Sequence, residues 1–314
     1  MKLILLLFVA SMTMFIGCSE HSKIVKSTDY DLKYKKAIEY YEAGDCYKAL
    51  PLFEELMTYF RMTERGEDVY YYYANTQFCL KDYYLAAYYF KRFTVNYPNS
   101  PKAEECAFNS ARCSMLNSPE YNLDQSDTYK AIDDFQLFLN HYPESILVDS
   151  CNTLISSLRS KLETKSFEKA KLYYKMEKYR SAVILFNTTL EDFPDTDFKE
   201  EVLYLIIRSN FLFASNSIET KKEERYGNTI KSYHTFVDQF DSSKFLKLAE
   251  SYYKSSQKEL DKLFSGNYGW SGWKNSKQLL NSGNALVLSR QLPSSNKQAK
   301  YLIEQYKEIN AKYD

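Results

Sequence analysis

Four times along this chain a small residue is followed four places on by a phenylalanine: Ala49 and Phe53, Ala86 and Phe90, Ala131 and Phe135, Ala182 and Phe186. The last three copies go on to an aromatic-proline pair, at Tyr97-Pro98, Tyr142-Pro143 and Phe193-Pro194, and a degenerate fifth copy runs Thr229, Tyr233, Phe240-Asp241. Residues four apart share one face of a helix, and proline cannot continue one. Upstream of each small residue lies a second amphipathic stretch: Asp31 to Glu42, Val69 to Leu80, Ala103 to Leu116, Phe167 to Met176 and Val202 to Ala214. Each unit therefore reads as helix, turn, helix. Gly44-Asp45 supplies the first corner, where glycine tolerates the left-handed backbone. Only 8 Gly and 7 Pro occur in 314 residues, and no alternating β-branched runs bounded by turns interrupt the pattern, so the chain is expected to be all-α.

This arrangement resembles the tetratricopeptide repeat, in which the small residue lets the second helix approach the first and the aromatic fills the gap between them. The resemblance implies a right-handed α-solenoid of about five helix pairs over residues 30–264. The steps between small residues are 37, 45, 51 and 47, longer than the ideal period of about 34. They imply longer helices or insertions, the clearest insertion being Asn117 to Thr128. The stretch 244–264 is richer in Lys, Glu and Ser, as a terminal capping helix should be. Beyond it, 265–297 has linker composition with Trp270 and Trp273 embedded, and Gln298 to Lys312 reads as one more helix. Residues 265–314 are thus expected to be a poorly ordered linker and C-terminal helix.

The N-terminus carries a different message. Lys2 leads into an apolar stretch from Leu3 to Ile16, too short to span a bilayer, and then Gly17-Cys18. This resembles a bacterial lipobox, with Phe15 where leucine is usual. It implies a signal peptide over 1–17, diacylation of Cys18 and a lipidated tether over 18–29. Several acyl chains on one residue give stable membrane anchoring, at about 0.8 kcal/mol per buried CH₂. The absence of an acidic run before Lys23 points to the periplasmic side of the outer membrane.

Charges balance at 41 basic and 41 acidic residues, so the net charge recruits neither nucleic acid nor an anionic surface. Cys46, Cys79, Cys106, Cys113 and Cys151 lack metal-ligand spacing and sit at apolar helical positions; they read mostly as buried free thiols, with one or two disulfides possible in an oxidising compartment. No nucleotide, metallopeptidase or serine-hydrolase motif occurs, and His21, His141 and His234 are isolated. The acid pairs Glu54-Glu55, Glu104-Glu105, Asp133-Asp134 and Glu200-Glu201 point about 100° apart on their helices and read as solvated faces. Neither an enzyme nor a cofactor is expected.

What the chain has in excess is aromatic surface, with 30 Tyr and 17% aromatics. The phenylalanines of the repeat are assigned to the core. The first helices of each pair turn other aromatics to the inner side: Tyr34, Ile38, Tyr41 and Glu42; Tyr71, Asn75 and Phe78; Phe108 and Arg112; Lys171, Tyr174 and Lys175. Rings beside cations suit a peptide carrying an aromatic residue and a carboxylate. The candidate peptide-binding residues are Tyr34, Tyr41, Arg61, Arg65, Tyr71, Asn75 and Phe78, the two arginines lying in the connection between the first two units.

The lipobox, the tether and five tetratricopeptide-like units together resemble the BamD family of outer-membrane β-barrel assembly lipoproteins. The resemblance covers about 30–264. It rests on Gly44-Asp45-Cys46-Tyr47-Lys48-Ala49, on Leu85 to Phe93 with Tyr97-Pro98-Asn99-Ser100-Pro101, on Ser118-Pro119 with Leu123-Asp124-Gln125, and on Phe193-Pro194-Asp195-Thr196. It implies a scaffold that holds the POTRA region of a BamA barrel through its C-terminal repeats and receives the C-terminal β-signal of unfolded outer-membrane proteins on its N-terminal ones. Tyr59-Phe60-Arg61 departs from the aromatic-proline pattern, and the tail after 265 exceeds the family core. Two other readings share these helices: a glycan-binding outer-membrane lipoprotein of the SusD type, usually much longer, and a pilus- or secretin-assembly lipoprotein.

Overall fold

The computed structural model describes residues 20–268 apart from Met62, with side chains as far as residue 263. The described residues are helical, without strands: α1 (20–25), α2 (Tyr30–Glu42), α3 (Cys46–Tyr59), α4 (Gly66–Cys79), α5 (Tyr83–Asn96), α6 (Ala103–Asn117), α7 (Ser126–His141), α8 (Val148–Lys175), α9 (Tyr179–Asp192), α10 (Lys199–Ser215), α11 (Glu219–Val237) and α12 (Leu246–Tyr268). Two compact units meet within α8, at residues 165 and 166. In the first, each helix from α2 to α7 packs on the next; in the second, α9 to α12 do the same. These are tetratricopeptide-like pairs.

Burial confirms the register. Ala49, Ala86, Ala131, Ala182 and Thr229 are each 0% exposed, as are Phe53, Phe90, Phe135 and Phe186. A methyl group at the crossing brings two helix backbones close, and the ring one turn later fills what remains. The proline-marked ends share one geometry. Tyr97, Tyr142 and Phe193 cap α5, α7 and α9 with φ of −131°, −128° and −133°, outside the helical region that a following proline disfavours. After each comes a hydroxyl residue whose side chain accepts from the backbone two residues on: Ser100 from Lys102, Ser145 from Leu147, Thr196 from Phe198. Ser243 and Phe245 repeat this in the degenerate copy. The first pair has no proline after its second helix and uses glycine instead. A Cβ on Gly66 would lie 2.5 Å from the Phe60 carbonyl oxygen, so only glycine lets the chain fold back so tightly there.

Within the pairs the corner is also repeated. Gly44, Lys81 and Glu177 have φ of 78°, 62° and 59°. Each is followed by an amide that reaches back five residues: Asp45 to Tyr40 at 2.8 Å, Asp82 to Gln77 at 3.0 Å and Lys178 to Tyr173 at 3.0 Å. This left-handed helix end satisfies carbonyls that would otherwise be orphaned.

Several expectations need correction. Phe167 to Met176 does not form a helix of its own. It is the end of the 28-residue α8, whose first half buries Cys151, Leu158 and Leu162 at helical spacing with no Gly or Pro to stop it, and this length accounts for the 51-residue step. The expected tether is helical at 20–25, because Ile24 is only 5% exposed and joins Ala37, Leu52 and Phe53 in the core. The cysteines need no correction: Cys46 and Cys79 form a disulfide, while Cys106, Cys113 and Cys151 are buried free thiols. The acid pairs are not simply solvated: the second member of each ties helices together, Glu55 to Lys33 at 2.5 Å, Glu105 to Tyr71 at 2.8 Å, Asp134 to Ser114 at 2.6 Å and Glu201 to Lys171 at 3.1 Å. Cys18, residues 1–17 and the segment from 269 onward lie outside the described residues.

Candidate functional site

The first helices of neighbouring pairs lie side by side, and the structure knits them at one offset. The Tyr71 hydroxyl donates to Glu105 of the next first helix, 34 positions on. The same offset joins Asp31 to Arg65 and Asp68 to Lys102, the latter at 2.5 Å. It also sets the Arg112 guanidinium 5.1 Å from the centre of the Phe78 ring and that of Arg208 5.5 Å from Tyr174. Neighbouring first helices therefore carry a ladder of rings, cations and carboxylates.

Two rungs of that ladder are near copies. Arg65 pairs with Asp31 and lies 5.7 Å over Tyr34 and 5.7 Å over Phe60; Lys102 pairs with Asp68 and lies 4.7 Å over Tyr71. In each, a carboxylate from the start of one first helix holds a cation from the start of the next over a tyrosine of its own helix. Burial, and then the Asp68 carboxylate, push the Tyr34 hydroxyl pKa above its ordinary value. Tyr71 is pushed up by burial and by its bond to Glu105. Both phenols stay neutral donors throughout the physiological range. Arg65 is held charged by its hydrogen bond to Asp31, and its side chain is 51% exposed.

The structure brings some predicted residues together and separates others. Tyr34 and Arg65 form one rung. Tyr71 belongs to the next, where its cation is Lys102 rather than Arg65. Tyr41 is half-buried edge-on against Tyr72 at 5.5 Å, and Tyr72 in turn meets Tyr71 at 5.6 Å. Phe78 lies between Phe90, Tyr83 and the Arg112 guanidinium. Asn75 donates its amide to the carbonyl of Tyr71 in its own helix, at 2.9 Å. Arg61 is elsewhere. It lines a cleft of about 920 Å³ with Tyr70, Tyr73, Tyr88, Tyr89 and Arg92, apart from the rungs because residues 70 and 73 leave α4 on a different side from 71, 75 and 78. Sequence reasoning missed Asp31, Asp68, Lys102 and Glu105. Their signal was present: charges recurring 34 positions apart in step with the aromatics.

Among the described residues no group of three or more His, Cys, Asp or Glu side chains could hold a metal, and no helix is long and apolar enough to cross a membrane.

An all-helical chain of tetratricopeptide-like pairs, with a ring-and-cation ladder on its first helices, defines a helical-repeat binding protein. The chain belongs to a family of outer-membrane lipoproteins, YfiO, whose model matches residues 27–226. Over 193 residues it is 24% identical to a protein of Aquifex aeolicus (strain VF5) named "Putative outer membrane protein assembly factor BamD". That match covers 61% of this chain and 63% of the relative, so the chain spans somewhat under two thirds of the relative's length. The BamD resemblance read from the repeats is thereby met.

Proposed function

We propose that this chain is a scaffold subunit of the outer-membrane β-barrel assembly machinery, anchored through acylated Cys18 on the periplasmic side. In this reading its later repeats hold the POTRA region of a BamA-like barrel. The first two pairs receive the C-terminal β-signal of unfolded outer-membrane proteins. The observation that carries the reading is the pair of copied rungs, Asp31–Arg65–Tyr34 and Asp68–Lys102–Tyr71. An extended β-signal presents an aromatic side chain and a free carboxylate. Each rung offers a ring face beside a cation, and exposed ion pairs such as Arg65 with Asp31 contribute little to stability, so the guanidinium can exchange Asp31 for an incoming carboxylate.

The test is binding of a synthetic barrel C-terminal peptide, followed by fluorescence anisotropy. Arg65→Ala combined with Tyr71→Ala should weaken binding tenfold or more, and higher salt should weaken the parent but hardly the variant. Arg61→Ala should bind as the parent does. Equal affinity for parent and double variant removes the rungs as the receptor. Affinity purification from detergent-solubilised membranes tests the scaffold itself: a BamA-like barrel should co-purify, and recovery of a glycan transporter or a secretin in its place would overturn the assembly role.

A further inference from the structure

On the first helices of the second unit the one arginine has no carboxylate within ion-pair distance among the described residues. Lys171 there is paired with Glu201 at 3.1 Å, as Arg65 and Lys102 are paired with Asp31 and Asp68 in the first unit. Arg208 of α10 is not. Its guanidinium lies 5.5 Å over the ring of Tyr174 from α8, with the phenols of Tyr204, one turn back on α10, and Tyr252 of α12 as its other close electrostatic neighbours. Its Nε is buried and has no acceptor among the described residues. Three first helices, α8, α10 and α12, thus bring phenols to one arginine, and among the described residues no carboxylate pairs with it.

Arg208 is half-buried, and its Nε is the part left unsatisfied in the free protein. A guanidinium withdrawn from water needs a counter-charge or a full set of acceptors, and a neutral phenol supplies only part of either. The counterpart in the first unit, Arg112, shows that the position does not demand such a cage. It lies over Phe78 and is exposed. At Arg208 the phenols instead fix the planar fork, which is what charge-assisted pairing with a carboxylate needs, and aromatic rings around a central arginine are typical of the energetic centre of a protein interface. Charge decides the ligand class. The strongest electrostatic neighbours of Arg208 and Tyr174 include no second cation, so a doubly charged phosphate would be half neutralised, whereas one carboxylate balances one guanidinium.

We infer that Arg208, framed by Tyr174, Tyr204 and Tyr252, is an anchor for a single Asp or Glu side chain of a protein that docks on the first-helix face of the second unit. The inference rests on this cage and not on the assembly role, and it holds whichever polypeptide brings the acid.

The test uses the full-length lipidated chain in its own membrane. Exposed Lys175 on α8 is replaced by the photo-reactive p-benzoylphenylalanine, irradiated, and the adduct mapped by mass spectrometry. The expected result is a polypeptide adduct whose yield falls at least tenfold in Arg208→Gln and partly in Arg208→Lys, with thermal midpoints close to the parent. The mapped segment should contain an Asp or Glu whose conversion to the amide gives the same loss. Should Arg208→Gln fail to fold, Arg208→Lys carries the comparison, since it keeps the charge and loses the planar fork. An undiminished adduct in the folded Arg208 variant, no polypeptide adduct, an adduct to lipid or to residues 269–314 of the chain itself, or a loss that no acid-to-amide change reproduces would each overturn the inference. An Arg208-dependent adduct with a protein unrelated to barrel assembly would sustain it while removing the assembly role.

Discussion

Single residues decide how tightly each pair turns, and they were unevenly visible beforehand. Gly44 announces a left-handed corner because glycine has no Cβ to clash. Lys81 and Glu177 adopt the same φ without announcing it, since neither residue type favours that region. Their conformation is imposed by the helices on either side, through amides that must close on Gln77 and Tyr173. Lys33 is a similar case. A lysine in an amphipathic stretch reads as surface, yet its side chain is 2% exposed because Glu55 lies 2.5 Å away on α3. The corner yields a prediction. Lys81→Gly and Glu177→Gly should each raise stability by about 0.5–1 kcal/mol, the relief of left-handed strain exceeding the entropy lost with glycine, whereas Gly44→Ala should lower it by about 1 kcal/mol. Urea midpoints would show it, and destabilisation by both glycine substitutions would mean that the side chains of Lys81 and Glu177 contribute more than their backbones cost.

Elements were legible where packing and periodicity agree. The alanine and phenylalanine of the first four second helices were assigned correctly because a close helix crossing favours a small side chain, whatever the surroundings. The first half of α8 was not, since it carries no repeat signature: only Cys151, Leu158 and Leu162 mark its buried side. Nor did sequence say which thiols would pair. Pairing follows from the start of α3 lying against the end of α4, which brings the Cα atoms of Cys46 and Cys79 within 6.3 Å. That staple ties the first pair to the second at the end of α4 away from the rungs of the candidate site. Closing a loop of 33 residues should contribute about 3–4 kcal/mol through the unfolded chain, so reduction should lower the thermal midpoint clearly. Alkylation gives an independent check. Cys106, Cys113 and Cys151 should resist iodoacetamide in the folded protein, and mild reduction should expose two reactive thiols while these three stay blocked. Rapid labelling of five would mean that the disulfide is what keeps the first unit folded.

At the scale of the molecule, the abundance of tyrosine is mostly a packing device that also carries recognition. Phenols sit between helices, where rings supply area and hydroxyls reach carboxylates such as Glu105 or the Arg208 guanidinium. The candidate site was therefore half legible. The aromatics were visible by register, but their cations and acids come from neighbouring pairs and become neighbours only once the 34-residue offset between first helices is known. So many buried phenols and thiols have a collective consequence at high pH. Burial pushes Cys106 and Cys113 up to about 12 from an ordinary 9, and Tyr70 and Tyr73 up to about 12 from 10. The folded state thus keeps protons that the unfolded chain gives up, and stability falls with pH wherever the folded state binds more of them. It should be unaffected below about pH 9 and decline steadily as pH rises toward 12, the thiols acting first and the phenols from about pH 10. Urea melts at pH 7.5, 9.5 and 10.5 without reductant would trace the decline. In Cys106→Ala with Cys113→Ala the midpoint should start lower, for the small cavities left, but fall less between pH 9 and 10. A parental slope identical to that of the double variant would mean that these thiols ionise in the folded protein as freely as in the unfolded chain.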